Sequence, residues 1–196
     1  MKRWLVTGIV FICILLFCSK EVLAAKDKNE KSSEYRDRKD RYSLVLPGKW
    51  IAFEQEEDVY FEYDSKEFYA SFYITGLSVT KEETLKEFVS NVQPYSYKGE
   101  GLDVQSTIID KTEAKVDGVQ AIHLRQKSEA KGKYNGQSYS EITFIDEFYF
   151  IKNNQIYIIT LNVTENGYEK VRSDFEAIVK SFKAGIKPFE EMKKEE

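Results

Sequence analysis

The sequence predicts an α+β domain, in which an antiparallel β-sheet of about seven strands is flanked by two amphipathic helices. Several short segments alternate apolar and polar residues, as strands with one buried face do. Two other segments repeat apolar residues at helical spacing. Strand and helix segments are segregated along the chain rather than alternating regularly, and we therefore expect both helices to pack on one face of the sheet, as in an α/β sandwich.

Three strands are predicted before the first helix. The first lies in Tyr42–Trp50, where alternate apolar residues precede a Pro-Gly turn, and the second is Val59–Tyr63. The third, Phe68–Thr75, alternates along its whole length. One predicted face carries Phe68, Ala70, Phe72 and Ile74, and the other carries Tyr69, Ser71, Tyr73 and Thr75.

The remaining elements are a helix, two hairpins and a second helix. A capping box of Thr80 and Glu83 begins the first helix, whose apolar positions are Leu85, Phe88, Val89 and Val92. The hairpins pair residues 104–116 with 119–126 and residues 137–151 with 155–163. The last helix is predicted to begin at the N-cap Asn166, with Glu169 at the third position, and to end near Gly185.

The first 25 residues have the pattern of a secretory signal peptide. Lys2 and Arg3 precede an apolar run from Leu5 to Cys18, and small residues follow, which predicts cleavage after Ala24 or Ala25. The run has 14 residues, fewer than the roughly 20 that span a bilayer. An uncleaved anchor or lipidation at Cys18 is the alternative, and a membrane contact is expected only in those cases. The predicted localisation is secreted or periplasmic.

We predict four segments in the chain: a signal peptide (1–25), a charged flexible leader (26–41), one α+β domain (42–185) and a charged tail (186–196). Removing the signal peptide takes away three basic residues and one acidic residue, so the net charge changes from −4 to −6. An acidic protein gains little from contacts with phosphates, which argues against a nucleic-acid partner. Both cysteines lie in the signal peptide, so the domain has no disulfide.

Tyrosines are the main candidates for a binding surface. The chain contains 13 tyrosines and 13 phenylalanines. Tyr69 and Tyr73 are predicted on the outward face of their strand, and Tyr95 and Tyr97 in a loop after the first helix. Exposed tyrosine is enriched at protein interfaces, although tyrosine also simply suits β-strands.

No complete catalytic or metal-binding motif is present, and we predict neither a metal nor a cofactor. His123 is the only histidine, and a structural or surface role is expected for it. Asp146 shares its predicted strand face with apolar residues, where burial would raise its pKa and suit it to act as an acid. A β-bulge near Asp146 and Glu147 would instead turn Asp146 towards solvent, and this is the expected arrangement. Asn162-Val-Thr164 is a formal glycosylation acceptor.

Three segments give the domain a family resemblance. Tyr42–Trp50 resembles the opening strand and Pro-x-x-Trp turn of PsbP-like and DcrB-like exported proteins. Val116–Ala121 is similar to their mid-domain hairpin, and Phe175–Phe182 to their terminal helix. The resemblance covers about residues 40–184. It implies an antiparallel sheet flanked by helices of the Mog/PsbP type and non-enzymatic accessory roles, but no site residues, because no catalytic motif is shared. This chain lacks the lipobox of many bacterial relatives.

The preferred hypothesis is an exported, non-enzymatic binding or accessory module of the cell envelope, whose partner is a protein or envelope component. A first alternative is a carrier of a small apolar ligand in a cavity between helices and sheet, formed by Phe68, Phe72, Phe144 and Phe148. A second is a hydrolase-type enzyme that uses Asp146, Glu147 and His123, which requires these groups to share a cleft.

Overall fold

Eleven strands and two helices are present in the part of the chain that this computed structural model describes, namely residues 32–55, 58–79, 84–99, 101–134, 137–187 and 189. The helices are α1 (Leu85–Ser90) and α2 (Glu165–Ser181). The strands are β1 (Ser33–Arg36), β2 (Tyr42–Leu46), β3 (Trp50–Gln55), β4 (Asp58–Tyr63), β5 (Ala70–Ser78), β6 (Ser96–Gly99), β7 (Leu102–Val116), β8 (Val119–Tyr134), β9 (Gln137–Lys152), β10 (Gln155–Thr164) and β11 (Lys183–Ala184). The predicted α+β class with a large antiparallel sheet is confirmed.

The strands form two sheets rather than one. Eight strands make the large sheet in the order β3-β4-β5-β10-β9-β8-β7-β6, and the small sheet has the order β1-β2-β11. The first predicted strand, Tyr42–Trp50, is divided between the two sheets, because the turn at Pro47 and Gly48 separates β2 from β3. Strand β6, which pairs with β7, falls in the segment predicted as a loop.

The two helices lie on opposite faces of the large sheet, so the prediction that both pack on one face is wrong. On the face that we call inner, α2 and β2 cover residues such as Phe72 and Phe150. On the outer face, α1 packs against Ile122 and Tyr149 of β8 and β9. The apolar stripe of a helix predicts burial, but it does not specify which face of a sheet provides the partner.

The alternation predicted for β5 is confirmed. Ala70, Phe72 and Ile74 are buried in the inner-face core, and the Phe72 ring stacks on Phe61 with a centroid distance of 4.3 Å. Their neighbours Tyr69, Ser71 and Tyr73 therefore belong to the outer face.

The predicted cap of the last helix is wrong, and that of the first helix is untested. The Thr80–Glu83 box lies outside the described residues, and the described capping box joins Thr84 and Glu87 instead. Helix α2 begins after Thr164, two residues before the predicted cap Asn166, and its C-cap is Phe182. Gly185 follows β11 and lies against the Asp40 backbone, where a Cβ atom would come within 1.9 Å of the Asp40 carbonyl oxygen.

The predicted domain boundaries are too narrow at both ends. Residues 33–36 of the predicted flexible leader form β1, and Asp37 makes a buried ion pair with Arg41, with 2.6 Å between Oδ1 and Nη2. The guanidinium and two backbone amides that bond to the Asp37 carboxylate hold its pKa below the usual value despite burial. In the predicted tail, Phe189 stacks on Tyr42 with 6.1 Å between centroids. The predicted signal peptide lies outside the described residues.

No described helix is both long enough and apolar enough to cross a membrane.

Candidate binding surfaces

Tyr69 and Tyr73 form part of an aromatic surface on the outer face of β3, β4 and β5. Register places Tyr60 beside Tyr73, and Phe53 beside Tyr60. The Phe53 and Tyr60 rings stack with a centroid distance of 5.3 Å. Ile51 lies two residues before Phe53 on the same face of the edge strand β3, and it is exposed. We call Ile51, Phe53, Tyr60, Tyr69 and Tyr73 the edge patch.

Exposure within the edge patch is uneven. Tyr69 is 40% exposed, and its hydroxyl donates a hydrogen bond to Ser71 Oγ at 2.8 Å. Tyr73 is only partly exposed, and burial raises the pKa of its phenol. Glu62 lies in register between Ile51 and Ser71, and burial raises the pKa of this carboxyl as well. The patch therefore combines accessible aromatic area with one carboxyl whose pKa is raised by burial.

Tyr95 and Tyr97 do not belong to this surface. Tyr97 lies on β6, at the opposite edge of the sheet from β3, and Tyr95 immediately precedes β6. Five inter-strand spacings separate β5 from β6, which is roughly 24 Å. The four predicted tyrosines thus form two separate sites rather than one.

Phe53, Tyr60 and Ile51 are members that the sequence reasoning missed. Ile51 and Phe53 alternate in β3, and Tyr60 occupies a matching position in β4. That alternation was the available signal, but the sequence prediction placed no strand between Trp50 and Val59, where the acidic residues from Glu54 to Asp58 lie. Because a hairpin brings residues on both sides of such a run into register, the acidic segment does not interrupt the patch.

The three residues of the predicted hydrolase site divide between the two faces of the sheet. His123 and Asp146 lie together on the inner face, with 3.5 Å between Nε2 and Oδ1. Glu147 lies on the outer face, where it accepts a hydrogen bond from Gln126 Nε2 at 3.0 Å. Consecutive strand residues point to opposite faces, so these three groups cannot share one cleft.

Asp146 is buried rather than turned towards solvent as we expected, and its surroundings do not suit it to act as an acid. Arg125 Nε and the Tyr168 hydroxyl donate to its two oxygens at 2.9 and 3.0 Å. Burial alone would raise the pKa of Asp146, but the adjacent His123 and Arg125 side chains outweigh it and hold the pKa below the usual value. The expected β-bulge is also absent at this point, because β9 keeps its register with both neighbours. In β7 and β8 the register shifts between Ile108 and Asp110 instead.

Glu147 is the carboxyl with the raised pKa. Burial disfavours its charged form, and hydrogen bonds from Tyr149 and Gln126 only partly offset this effect. Its neighbours on the outer face include Thr160 of β10 and Leu124 of β8, both buried. Glu147 is thus a buried, hydrogen-bonded carboxyl on the outer face of the sheet, the face on which α1 packs.

The phenylalanines proposed to line an apolar cavity pack against other rings of the protein. Phe68 stacks on Tyr63, and Phe144 packs at a tilt against Tyr168, with centroid distances of 5.4 and 4.6 Å. Phe148 stacks almost parallel on His123 at 4.2 Å, and Phe72 is fully buried. These four residues contribute to the core rather than to a common cavity wall.

Asn162 is buried in β10, with β5 and β9 on either side. The side-chain amide of this formal glycosylation acceptor is therefore inaccessible in the folded domain. Within the described residues, no three His, Cys, Asp or Glu side chains are grouped closely enough to hold a metal ion.

The comparisons with known proteins agree with the family resemblance in the sequence. Among solved structures, the chain is similar to cyanobacterial PsbP (CyanoP) from Synechocystis sp. PCC 6803, with 16% identity over 83% of this chain and 98% of that one (TM-score 0.48). It is also similar to the Ran-binding protein Mog1p of Saccharomyces cerevisiae, with 12% identity, 80% and 96% coverage and a TM-score of 0.47. LpqN of Mycobacterium tuberculosis, described as involved in cell envelope biogenesis, shows 10% identity, 79% and 91% coverage and a TM-score of 0.43. No curated protein matches the chain. The PsbP family model matches residues 30–184, and this chain therefore belongs to the PsbP family.

Proposed function

We propose that this PsbP-family protein is an exported, non-enzymatic binding module of the cell envelope, and that the edge patch is the surface that contacts its protein partner. Family membership favours an accessory or binding module. The N-terminal sequence pattern supports export. The proposal depends on one observation above all, the row of apolar and aromatic side chains across β3, β4 and β5.

The composition of the patch suits a protein partner. Tyr69 and Ile51 are exposed at 40% and 38%, whereas apolar side chains of this size are usually buried. Large rings with few rotatable bonds supply contact area at a low entropic cost, which is why they are frequent in interface centres. Helix α1 packs on β8 and β9, away from this end of the sheet.

Site-specific photo-crosslinking in the native host tests the proposed surface. The photoreactive amino acid p-benzoylphenylalanine replaces Tyr69 in one variant and Tyr97, at the opposite edge of the sheet, in a matched control. We expect a discrete adduct only from position 69, and we expect Phe53→Ser to reduce its yield severalfold. Adducts of equal yield from both positions, or none from position 69, would show that the edge patch is not the contact surface.

Export requires its own test. Cell fractionation should place the protein outside the cytoplasm, and N-terminal sequencing should give a chain that starts at Ala25 or Lys26. A chain that retains Met1 in the cytoplasm contradicts export, and a start at Cys18 indicates lipidation.

A further inference from the structure

Within the described part of the chain, the edge of the large sheet at β3 has unpaired backbone groups. Strand β4 is the only described strand beside β3. The Asp64 amide donates to the Lys49 carbonyl at 2.9 Å, which makes residues 49 and 64 a hydrogen-bonded pair of this antiparallel ladder. Because such pairs alternate, the odd-numbered residues of β3 direct their backbone groups towards β4, and the even-numbered residues direct theirs away. The outward amides and carbonyls of Ala52 and Glu54 have no hydrogen-bond partner among the described residues.

Strand β3 also lacks the features that protect a free edge. Such edges are usually kept very short or carry lysine or proline. The opposite edge of the sheet follows this rule, because β6 has four residues and includes Lys98, whose side chain is 85% exposed. The six residues of β3 include neither lysine nor proline. Ile51 and Glu54 are exposed on this strand, so its edge is accessible.

We propose that β3 pairs with β3 of a second copy of this chain, antiparallel and about a two-fold axis beside Ala52. In this register Ala52 faces Ala52 of the second copy, and Glu54 faces Trp50 of the second copy. The central pair exchanges two amide-to-carbonyl hydrogen bonds, and each Glu54 amide donates one more to a Trp50 carbonyl. The Trp50 amide is not required, because it donates to the Pro47 carbonyl of its own chain at 3.3 Å.

The apolar side chains of β3 match in this register. On the outer face, Ile51 of each copy lies opposite Phe53 of the other. These are non-hydrogen-bonded positions, where facing side chains are closest, and pairs of an aromatic and a β-branched residue stabilise a sheet there. Ile51 is 38% exposed in the single chain, so the pairing removes apolar area from water.

The charges of β3 favour the same register. Like charges directly opposite each other destabilise a sheet, but here the two Glu54 residues are four positions apart, roughly 14 Å along the strands. Each Glu54 carboxylate is also paired with Arg38 of its own chain. Lys49 of each copy lies opposite residue 55 of the other, which precedes the acidic sequence Glu56-Glu57. The sequence thus places opposite charges at both ends of the pairing.

Pairing through β3 joins two edge patches into one surface. The two-fold axis is perpendicular to the sheet, so the outer faces of both copies lie on the same side. Tyr60 and Tyr73 belong to β4 and β5, and Tyr69 immediately precedes β5, so these rings take no part in the new backbone contacts. The second copy therefore contributes half of a continuous aromatic surface, and its pairing is separate from the partner contact proposed above.

Cysteine cross-linking measures the register. In a Cys13→Ala/Cys18→Ala background, an introduced cysteine is the only thiol. Ala52→Cys should form a disulfide-linked dimer under mild oxidation, because Cα atoms of a hydrogen-bonded antiparallel pair are about 5.5 Å apart, within disulfide range. Glu54→Cys, on the same strand and face, is the matched control. It should react at least about tenfold more slowly, because the two positions are roughly 14 Å apart along the strands.

Sedimentation velocity measures the association of the unmodified chain. The average mass of wild type should rise towards that of a dimer between about 10 and 500 µM. Ala52→Pro removes both central amide donors and should weaken the association at least about tenfold. Lys98→Pro is the control, because its amide points away from β7 at the other free edge, and it should leave the association unchanged. Circular dichroism of both variants confirms the fold.

Three results would each overturn the proposal: a wild-type protein that stays monomeric at all these concentrations, equal cross-linking from positions 52 and 54, or equal weakening by the two proline variants. The cysteine pair decides the register without relying on the proline variants. Ala52→Pro keeps every side chain of the edge patch. The photo-adduct from position 69, measured in that variant, therefore tests the partner contact independently of the pairing between copies.

Discussion

Replacing Asp146 by alanine tests how much the buried contacts between β8, β9 and α2 on the inner face contribute to the free energy of unfolding. The Asp146 carboxylate connects three elements, because it lies on β9 and accepts hydrogen bonds from Arg125 of β8 and Tyr168 of α2. Its side chain is 3% exposed and that of Arg125 is 17% exposed, so water can replace the lost contacts only poorly. The variant leaves a guanidinium and a phenol without their acceptor.

The expected loss follows from this burial. Removing one partner of a buried ion pair costs about 3–5 kcal/mol, because the remaining charge is uncompensated. With a urea dependence of roughly 2 kcal/mol per molar, the unfolding midpoint should fall by about 1.5–2.5 M. Tyr168→Phe removes only one hydrogen bond to the same carboxylate and should cost about 1.5–3 kcal/mol. The midpoint of Tyr168→Phe should therefore lie between those of wild type and Asp146→Ala.

Urea unfolding followed by fluorescence and circular dichroism measures these differences. The paired variant Arg125→Met/Asp146→Leu serves as the control, because it removes both charges and keeps the volume apolar. It should recover most of the stability lost in Asp146→Ala. A loss below about 1 kcal/mol for Asp146→Ala, or equal losses for the single and paired variants, would refute a buried, mutually dependent ion pair.

The pH dependence of the same comparison has a definite sign. The pKa of Asp146 in the folded protein lies below its ordinary value of about 3.9. Its contribution to stability is therefore fully present above about pH 4 and is lost as the pH falls through the folded-state pKa. The difference in unfolding free energy between wild type and Asp146→Ala should shrink in that acidic range.

Three further variants test other parts of the fold by urea unfolding. The stability of Glu147→Gln relative to wild type should increase as the pH rises above about 4. Burial raises the pKa of Glu147, so wild type loses stability as this carboxyl ionises, whereas the amide does not ionise. A stability difference that does not vary with pH contradicts this prediction. Gly185→Ala should cost about 1–3 kcal/mol, because the added Cβ atom would clash with the Asp40 carbonyl oxygen. A variant as stable as wild type would show that Gly185 does not lie this close to Asp40. Phe189→Ala should cost about 1–3 kcal/mol, because the ring packs on Tyr42 and Tyr157, whereas no loss would confirm a detached tail.

Local pattern was sufficient to predict most elements of the large sheet. Strand β5 was identified with the correct inward residues, and the hairpin of β9 and β10 was predicted to within a residue or two of its observed bounds. These segments alternate because one face is buried, and their turns contain residues that tolerate positive φ, such as Asn153 and Asn154. For these strands, a two-residue alternation of apolar residues and a local turn are enough to predict the secondary structure, since neither depends on distant parts of the chain.

The features that sequence reasoning missed depend on contacts between distant segments. Residues 33–36 contain one aromatic residue, Tyr35, among polar residues and gave no strand signal, yet they pair with β2, which packs against α2 on the inner face. Asp146 illustrates the same limit for a site, because we expected a β-bulge to turn it towards solvent, whereas it is buried and the His123 and Arg125 side chains hold its pKa below the usual value. Arg125 and Tyr168 lie 21 and 22 residues away in sequence, in two different elements. Such partners determine whether a buried carboxyl is protonated or ionised in the folded protein. The pH dependence of the difference in unfolding free energy between wild type and Asp146→Ala distinguishes these two cases, because its sign depends on whether the folded-state pKa is raised or lowered.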